Sequence, residues 1–168
     1  MNGRHKLGES MFTFITRKRS VASMHLHVRR LMDVTFQGSV ADVEAQRSSA
    51  RYVRCFPVLV APWVDDEPAA DDAVFGIANN ISPQGFGLIV PKAIESAQVC
   101  LGVHTPGDES DAFFLLGDSK HVAAIGGGFW SLGVELTDFA TESCPYKLGR
   151  LKKLAAGLRP ESMELAGR

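Results

Sequence analysis

Between residues 55 and 136 the chain is cut by turn-forming residues into short apolar runs, and this rhythm constrains the fold more than any other feature. The breakers are the acidic, Pro-containing loop Trp63 to Asp72, Asn80 to Gly85 (N-I-S-P-Q-G), the connection Pro91 to Ala97, Thr105 to Asp111 (T-P-G-D-E-S-D) and the triplet Gly126, Gly127 and Gly128. Asn, Asp, Ser, Pro and Gly stop regular structure for separate reasons: local side-chain hydrogen bonds, a fixed φ, or freedom to take φ > 0. The runs between them are apolar, bounded by these turns, and read as strands. They are Cys55–Val60, Val74–Ile81, Gly85–Val90, Val99–His104, Ala112–Ile125 and Phe129–Leu136.

Details of the runs sharpen the expectation. Pro57 has no N–H and favours an edge or a barrel rim over a central strand. Ala112–Ile125 is long for one strand, so Gly117 and Asp118 are expected to bulge or bend it. The glycine triplet lacks G-x-x-x-x-G-K-[ST] and precedes no helical pattern, so it reads as a hairpin turn and not a phosphate loop. After Asp138 the period changes. Tyr146, Leu151, Leu154 and Leu158, with the basic Lys147, Arg150, Lys152 and Lys153, predict one amphipathic helix from about Ser143 to Leu158, stopped by Pro160. Six strands and a terminal helix describe a small all-β barrel or sandwich.

Upstream the pattern is weaker. Residues 1–20 have little periodicity and are expected to pack loosely. Met24, Leu26, Val28, Leu31, Met32 and Val34 fit either a helix or an alternating strand. His25 and His27 form H-x-H, which on a strand places two imidazoles on one face, but no third metal ligand lies near.

Charge and cysteines narrow the function classes. A net charge of -1 speaks against DNA or RNA binding by the whole domain. Arg4, Lys6, Arg17, Lys18, Arg19, Arg29 and Arg30 face a single acid, Glu9, in the first 30 residues, whereas Asp65, Asp66, Glu67, Asp71 and Asp72 carry no nearby base. Both runs read as solvated surface. Cys55, Cys100 and Cys144 match no C-x-x-C spacing, and an odd count fits a reducing cytoplasm better than a disulfide framework. No apolar run approaches the roughly 20 residues of a membrane span, and Met11–Ile15 is too short for a signal peptide.

Two motifs carry chemistry. Arg47 and Arg51 form R-x-x-x-R in a polar approach to the first strand. Paired guanidinium forks suit phosphate oxygens and the O6/N7 edge of guanine. Asn80, Ser82 and Gly85 form N-x-S-x-x-G. The amide and hydroxyl alternate toward one face, where they suit a guanine's polar edge, and Gly85 permits a tight turn and close approach of a flat ligand. Each motif alone is commonplace. Together, in this order and followed by Gly133-Val-Glu-Leu136, they form a joint signal. No acid–base pair, activated nucleophile or metal cluster accompanies them, so no catalysis is expected.

Over residues 45–138 this arrangement resembles the PilZ domain family of cyclic di-GMP receptors. The resemblance implies a six-stranded antiparallel barrel with a C-terminal helix, residues 45–159, between a basic extension at 1–44 and a tail at 160–168. It implies cyclic di-GMP as ligand, bound by Arg47, Arg51, Asn80, Ser82 and Gly85, with no cofactor or metal and a protein partner not named by the sequence. Many members carry two successive arginines at the start of the first motif; here Gln46 precedes Arg47, which leaves stoichiometry and affinity open, and Arg54 lies past Arg51 near the strand start. The alternative is a PilZ-like module that recruits a partner without nucleotide.

Overall fold

The structure is a computed structural model that describes residues 21–32, 52–105 and 111–158, with the backbone alone for 52–55. Arg47, Arg51 and Gln46 lie outside the described residues, as do the extremes 1–20 and 159–168.

The strands are β1 (Tyr52–Val64), β2 (Glu67–Pro68), β3 (Val74–Ser82), β4 (Gly85–Val90), β5 (Gln98–Val103), β6 (Phe113–Gly126) and β7 (Phe129–Asp138). Hydrogen bonding runs β1-β3-β4-β7-β6-β5, and β5 pairs back onto β1, every contact antiparallel. The sheet is therefore a closed six-stranded barrel, the architecture implied by the PilZ resemblance. β2 is a two-residue return against the end of β1, with Trp63 opposite Pro68.

Two hydrophobic cores explain why β1 reads as an unbroken apolar run. Phe56, Val58 and Val60 point into the barrel, beside Leu88, Leu101, Leu115 and Leu132. Leu59, Ala61 and Trp63 point out and are buried under the C-terminal helices with Leu148, Leu151, Ala155 and Leu158. A strand covered on both faces has no polar alternation to show. Pro57 sits just outside the β1–β5 ladder, which begins at Val58 opposite Val103, so it lies at the barrel rim as expected.

The helical segments differ from expectation in two places. Residues 21–32 form helix α1, whose Met24, Val28 and Leu31 are buried in the barrel core. The His27 ring packs 5.4 Å from Phe113 and 4.8 Å from Phe139, and Ser23 donates to Glu142 at 2.6 Å. α1 therefore lies across the barrel end where β6 starts and β7 finishes. On a helix, residues i and i+2 do not share a face, so His25 and His27 cannot act as the strand-borne pair.

The single helix expected over Ser143–Leu158 is instead broken. α2 (Ala140–Ser143) starts earlier, a 3₁₀ turn covers Pro145–Leu148, α3 spans Gly149–Ala155, and a last 3₁₀ turn covers Ala156–Leu158. Pro145 has no N–H for an α-helical bond to the preceding turn, so the helix stops and restarts around it. The buried stripe is Leu148, Leu151, Ala155 and Leu158, whereas Tyr146 and Leu154 are exposed. The acidic run does more than meet solvent: Lys147 donates to Asp66, Arg150 forms a bidentate pair with Asp71, and Lys92 lies 3.5 Å from Asp72. It is the counter-charge that seats the basic helix on the barrel.

Candidate functional site

Among the described residues the C-terminal helices cover the β1–β5–β6 side and come near β3 at Phe75, so the outer face they leave uncovered is the Asn80–Ser82 end of β3 with β4 and β7. The N-x-S-x-x-G segment is there, and a bulge puts it there. Ala78 pairs with Leu88, but Asn80, not Asn79, pairs with Gly87. One extra residue at Asn79 reverses the alternation, turning Ile81 into the core at 0% exposure and leaving Asn80 and Ser82 on the outside. Burying Ile81 is worth about 1.5–3 kcal/mol, enough to fix this phase.

Ser82 and Gly85 close the β3–β4 turn as a cross-strand pair around Pro83 and Gln84. The Ser82 hydroxyl accepts from Gln84 N–H at 3.3 Å and Gly85 N–H at 3.1 Å, and it lies 3.4 Å from the Gly85 carbonyl, to which it donates. At 6% exposure, its polar capacity is engaged within the turn. Leu136 N–H then donates to the Gln84 carbonyl at 2.8 Å and ties the turn to β7. Gly85 is required for space and not for φ, since the described glycines with positive φ are Gly126, Gly127 and Gly128. A Cβ on Gly85 would run into the Val134 carbonyl oxygen.

Three rows of residues cross this outer face. Ser82, Gly85, Glu135 and Asp118 form the first, and Asn80, Gly87, Gly133 and His121 the second. The third is Ile77, Ile89, Ser131 and Ala123. In the middle row each glycine seats a planar side chain. A Cβ on Gly87 would overlap the Asn80 amide, with Oδ1 at 2.5 Å and Cγ at 2.7 Å, and one on Gly133 would overlap the His121 imidazole. Asn79 Oδ1 accepts from Asn80 Nδ2 at 3.1 Å, which fixes the direction of the amide. Gly87 and His121 escaped the sequence reading, and Gly133 entered it only as part of the closing strand, although glycine inside a strand is a known sign of close approach.

The first row is acidic but compensated. Lys120 reaches Glu135 at 2.7 Å and Asp118 at 3.7 Å, and the hydrogen bond to Glu135 raises its pKa above the ordinary lysine value. Gln98 donates to Asp118 at 3.2 Å. Burial pushes both described thiols, Cys100 and Cys144, upward, so they stay protonated. Among the described residues no group of three or more His, Cys, Asp or Glu is placed to hold a metal, and no helix is long and apolar enough to cross a membrane.

No family model matches the chain, and no curated protein matches it. Among solved structures it is similar to the Bacillus subtilis inhibitor of motility (MotI/DgrA), at 13% identity and a TM-score of 0.43. The match covers 68% of this chain and 54% of that one, so the chain spans about half the length of that protein. The barrel described above stands on this chain's own strand pairings.

Proposed function

We propose that this protein is a non-catalytic cyclic di-GMP receptor of the PilZ type, acting in the cytoplasm. The observation that carries the reading is a register. Tyr52 pairs with Ile81 and Val53 with Asn80, so β1 begins directly beside the end of β3. Arg51 is bonded to Tyr52, and consecutive Cα atoms are about 3.8 Å apart. The described start of β1 therefore lies beside the N-x-S-x-x-G strand end, and the R-x-x-x-R motif directly precedes that start in the sequence.

In this reading the Asn80 amide meets the guanine edge, while Ser82 and Gly85 hold the turn that presents it. Arg47 and Arg51 neutralise the phosphates, a task the compensated Lys120 group is poorly placed to perform. Ligand orders the segment carrying the two arginines against the barrel and so changes the surface offered to a protein partner. Calorimetric titration tests this: wild type should bind cyclic di-GMP, Arg51→Ala should lose binding, and Arg29→Ala should keep it.

One observation favours a module that docks a partner without nucleotide. Phe75 and Ile77 are 50% and 49% exposed on the outer face of β3, two strand positions and more from Asn80. A partner pull-down indifferent to cyclic di-GMP and to Arg47→Ala would select that alternative.

A further inference from the structure

We infer that His121 is a base-stacking residue of this site, and that Gly87 and Gly133 exist to keep its platform flat. The inference rests on the cyclic di-GMP reading and extends it to a strand, β6, that neither sequence motif touches.

The geometry is specific to one row. Asn80, Gly87, Gly133 and His121 are consecutive cross-strand partners on four neighbouring strands. The outer side chains of the row fold inward over the two central glycines: the amide over Gly87 and the imidazole over Gly133. Neighbouring strands are about 4.8 Å apart. The amide and the imidazole, carried by the two outer strands of the row, thus lie over the two central strands, where Gly87 and Gly133 place no side chain between them.

Among the described residues His121 is exposed. Its position is nonetheless defined: a one-residue bulge at Lys120 brings His121 opposite Gly133, and Nε2 lies 3.4 Å from the Ser131 hydroxyl. The cross-strand position is Gly133, and the row on one side carries only the small Ser131 and Ala123, while the row on the other carries Glu135 and Asp118 held by Lys120. A purine whose polar edge is held by Asn80 would have its face over this ring. Histidine is among the side chains on which bases stack, and such stacking tolerates any base because every base has a π-face. Specificity for guanine thereby stays with the Asn80 amide and the arginines, while His121 supplies affinity.

The test is a calorimetric titration with cyclic di-GMP of wild type, Arg51→Ala, His121→Ala and His121→Phe, beside NMR observation of the wild-type His121 ring protons. Stacking predicts that His121→Ala weakens binding on the order of ten- to a hundred-fold. It predicts that His121→Phe restores most of the loss, and that the His121 ring signals shift upfield on saturation. Wild-type affinity in His121→Ala, while Arg51→Ala fails to bind, would overturn the inference and leave the receptor reading intact. A His121→Phe variant as weak as His121→Ala would overturn stacking in favour of a ring hydrogen bond. Absence of binding by wild type would overturn both, and the NMR measurement needs no substitution and so is immune to misfolded variants.

Discussion

Replacing Gly85 or Gly87 by alanine separates the fold from the site, because the two glycines are crowded by different kinds of neighbour. At Gly85 the new methyl meets the Val134 backbone carbonyl, which belongs to β7 and cannot rotate away. The β4 and β7 backbones must part at the pair Gly85 and Glu135, beside the 2.8 Å bond from Leu136 N–H to the Gln84 carbonyl. Overpacking of this kind costs about 1–3 kcal/mol, and one weakened backbone bond adds about 1 kcal/mol. The expected loss is roughly 2–4 kcal/mol, or a fall in Tm of about 10 °C for a domain of this size. At Gly87 the three atoms nearest the methyl all belong to the Asn80 side-chain amide, which can swing out, so Gly87→Ala should cost less than about 1 kcal/mol while displacing the amide. Urea denaturation followed by circular dichroism gives both numbers. Equal midpoints for Gly85→Ala and wild type would refute the backbone-clash argument, and so would a Gly87→Ala as unstable as Gly85→Ala.

Other expectations follow from the same contacts. Ser82→Ala removes the acceptor shared by the Gln84 and Gly85 N–H groups and should cost about 1–3 kcal/mol in urea denaturation, since those donors lose a partner in a buried turn. Met24→Ala should lower stability by about 2–5 kcal/mol, because α1 is part of the barrel core; a neutral result would detach α1 from the folded unit. Hydrogen bonds from Lys147 and Arg150 hold the Asp66 and Asp71 carboxyls below the ordinary value. Their stabilising contribution is therefore complete above the unfolded pKa and fades as pH falls from about 5 through the depressed folded values. Trp63, with the Lys147 ammonium 5.9 Å from its ring centre, should report loosening of the C-terminal segment in that window, and Asp71→Asn should blunt the acid transition.

How much of this could be read in the sequence depended on how local the deciding interaction was. The β3–β4 and β6–β7 turns were legible because Pro83, Gly85 and the glycine triplet act on their own backbone; Gly127 and Gly128 adopt φ of +62° and +81°, as a two-residue hairpin turn requires. Helix α1 was ambiguous because Met24, Leu26 and Val28 satisfy period two while Met24, Val28 and Leu31 satisfy the helical period. Packing against Phe113 and Phe139 decided between them, and those residues are remote in sequence. The acidic run showed no purpose because its partners, Lys147 and Arg150, lie 79 to 81 residues away. The bulge at Asn79 left no trace either, since either phase of Ala78, Asn79, Asn80 and Ile81 alternates plausibly, and only the neighbouring β4 register fixes which. The row through Gly87 and Gly133 needed three strand registers at once. The motif residues were found as residue types; what joins Asn80 to His121 is sheet geometry.

The central claim is that the segment entering β1 and the turn leaving β3 form one cyclic di-GMP site. Calorimetric titration of wild type and of Arg51→Ala with cyclic di-GMP tests it most directly. Saturable binding by wild type, abolished in Arg51→Ala with an unchanged Tm, is the predicted result. No heat from wild type at high micromolar ligand, or equal affinity in the two proteins, would contradict it.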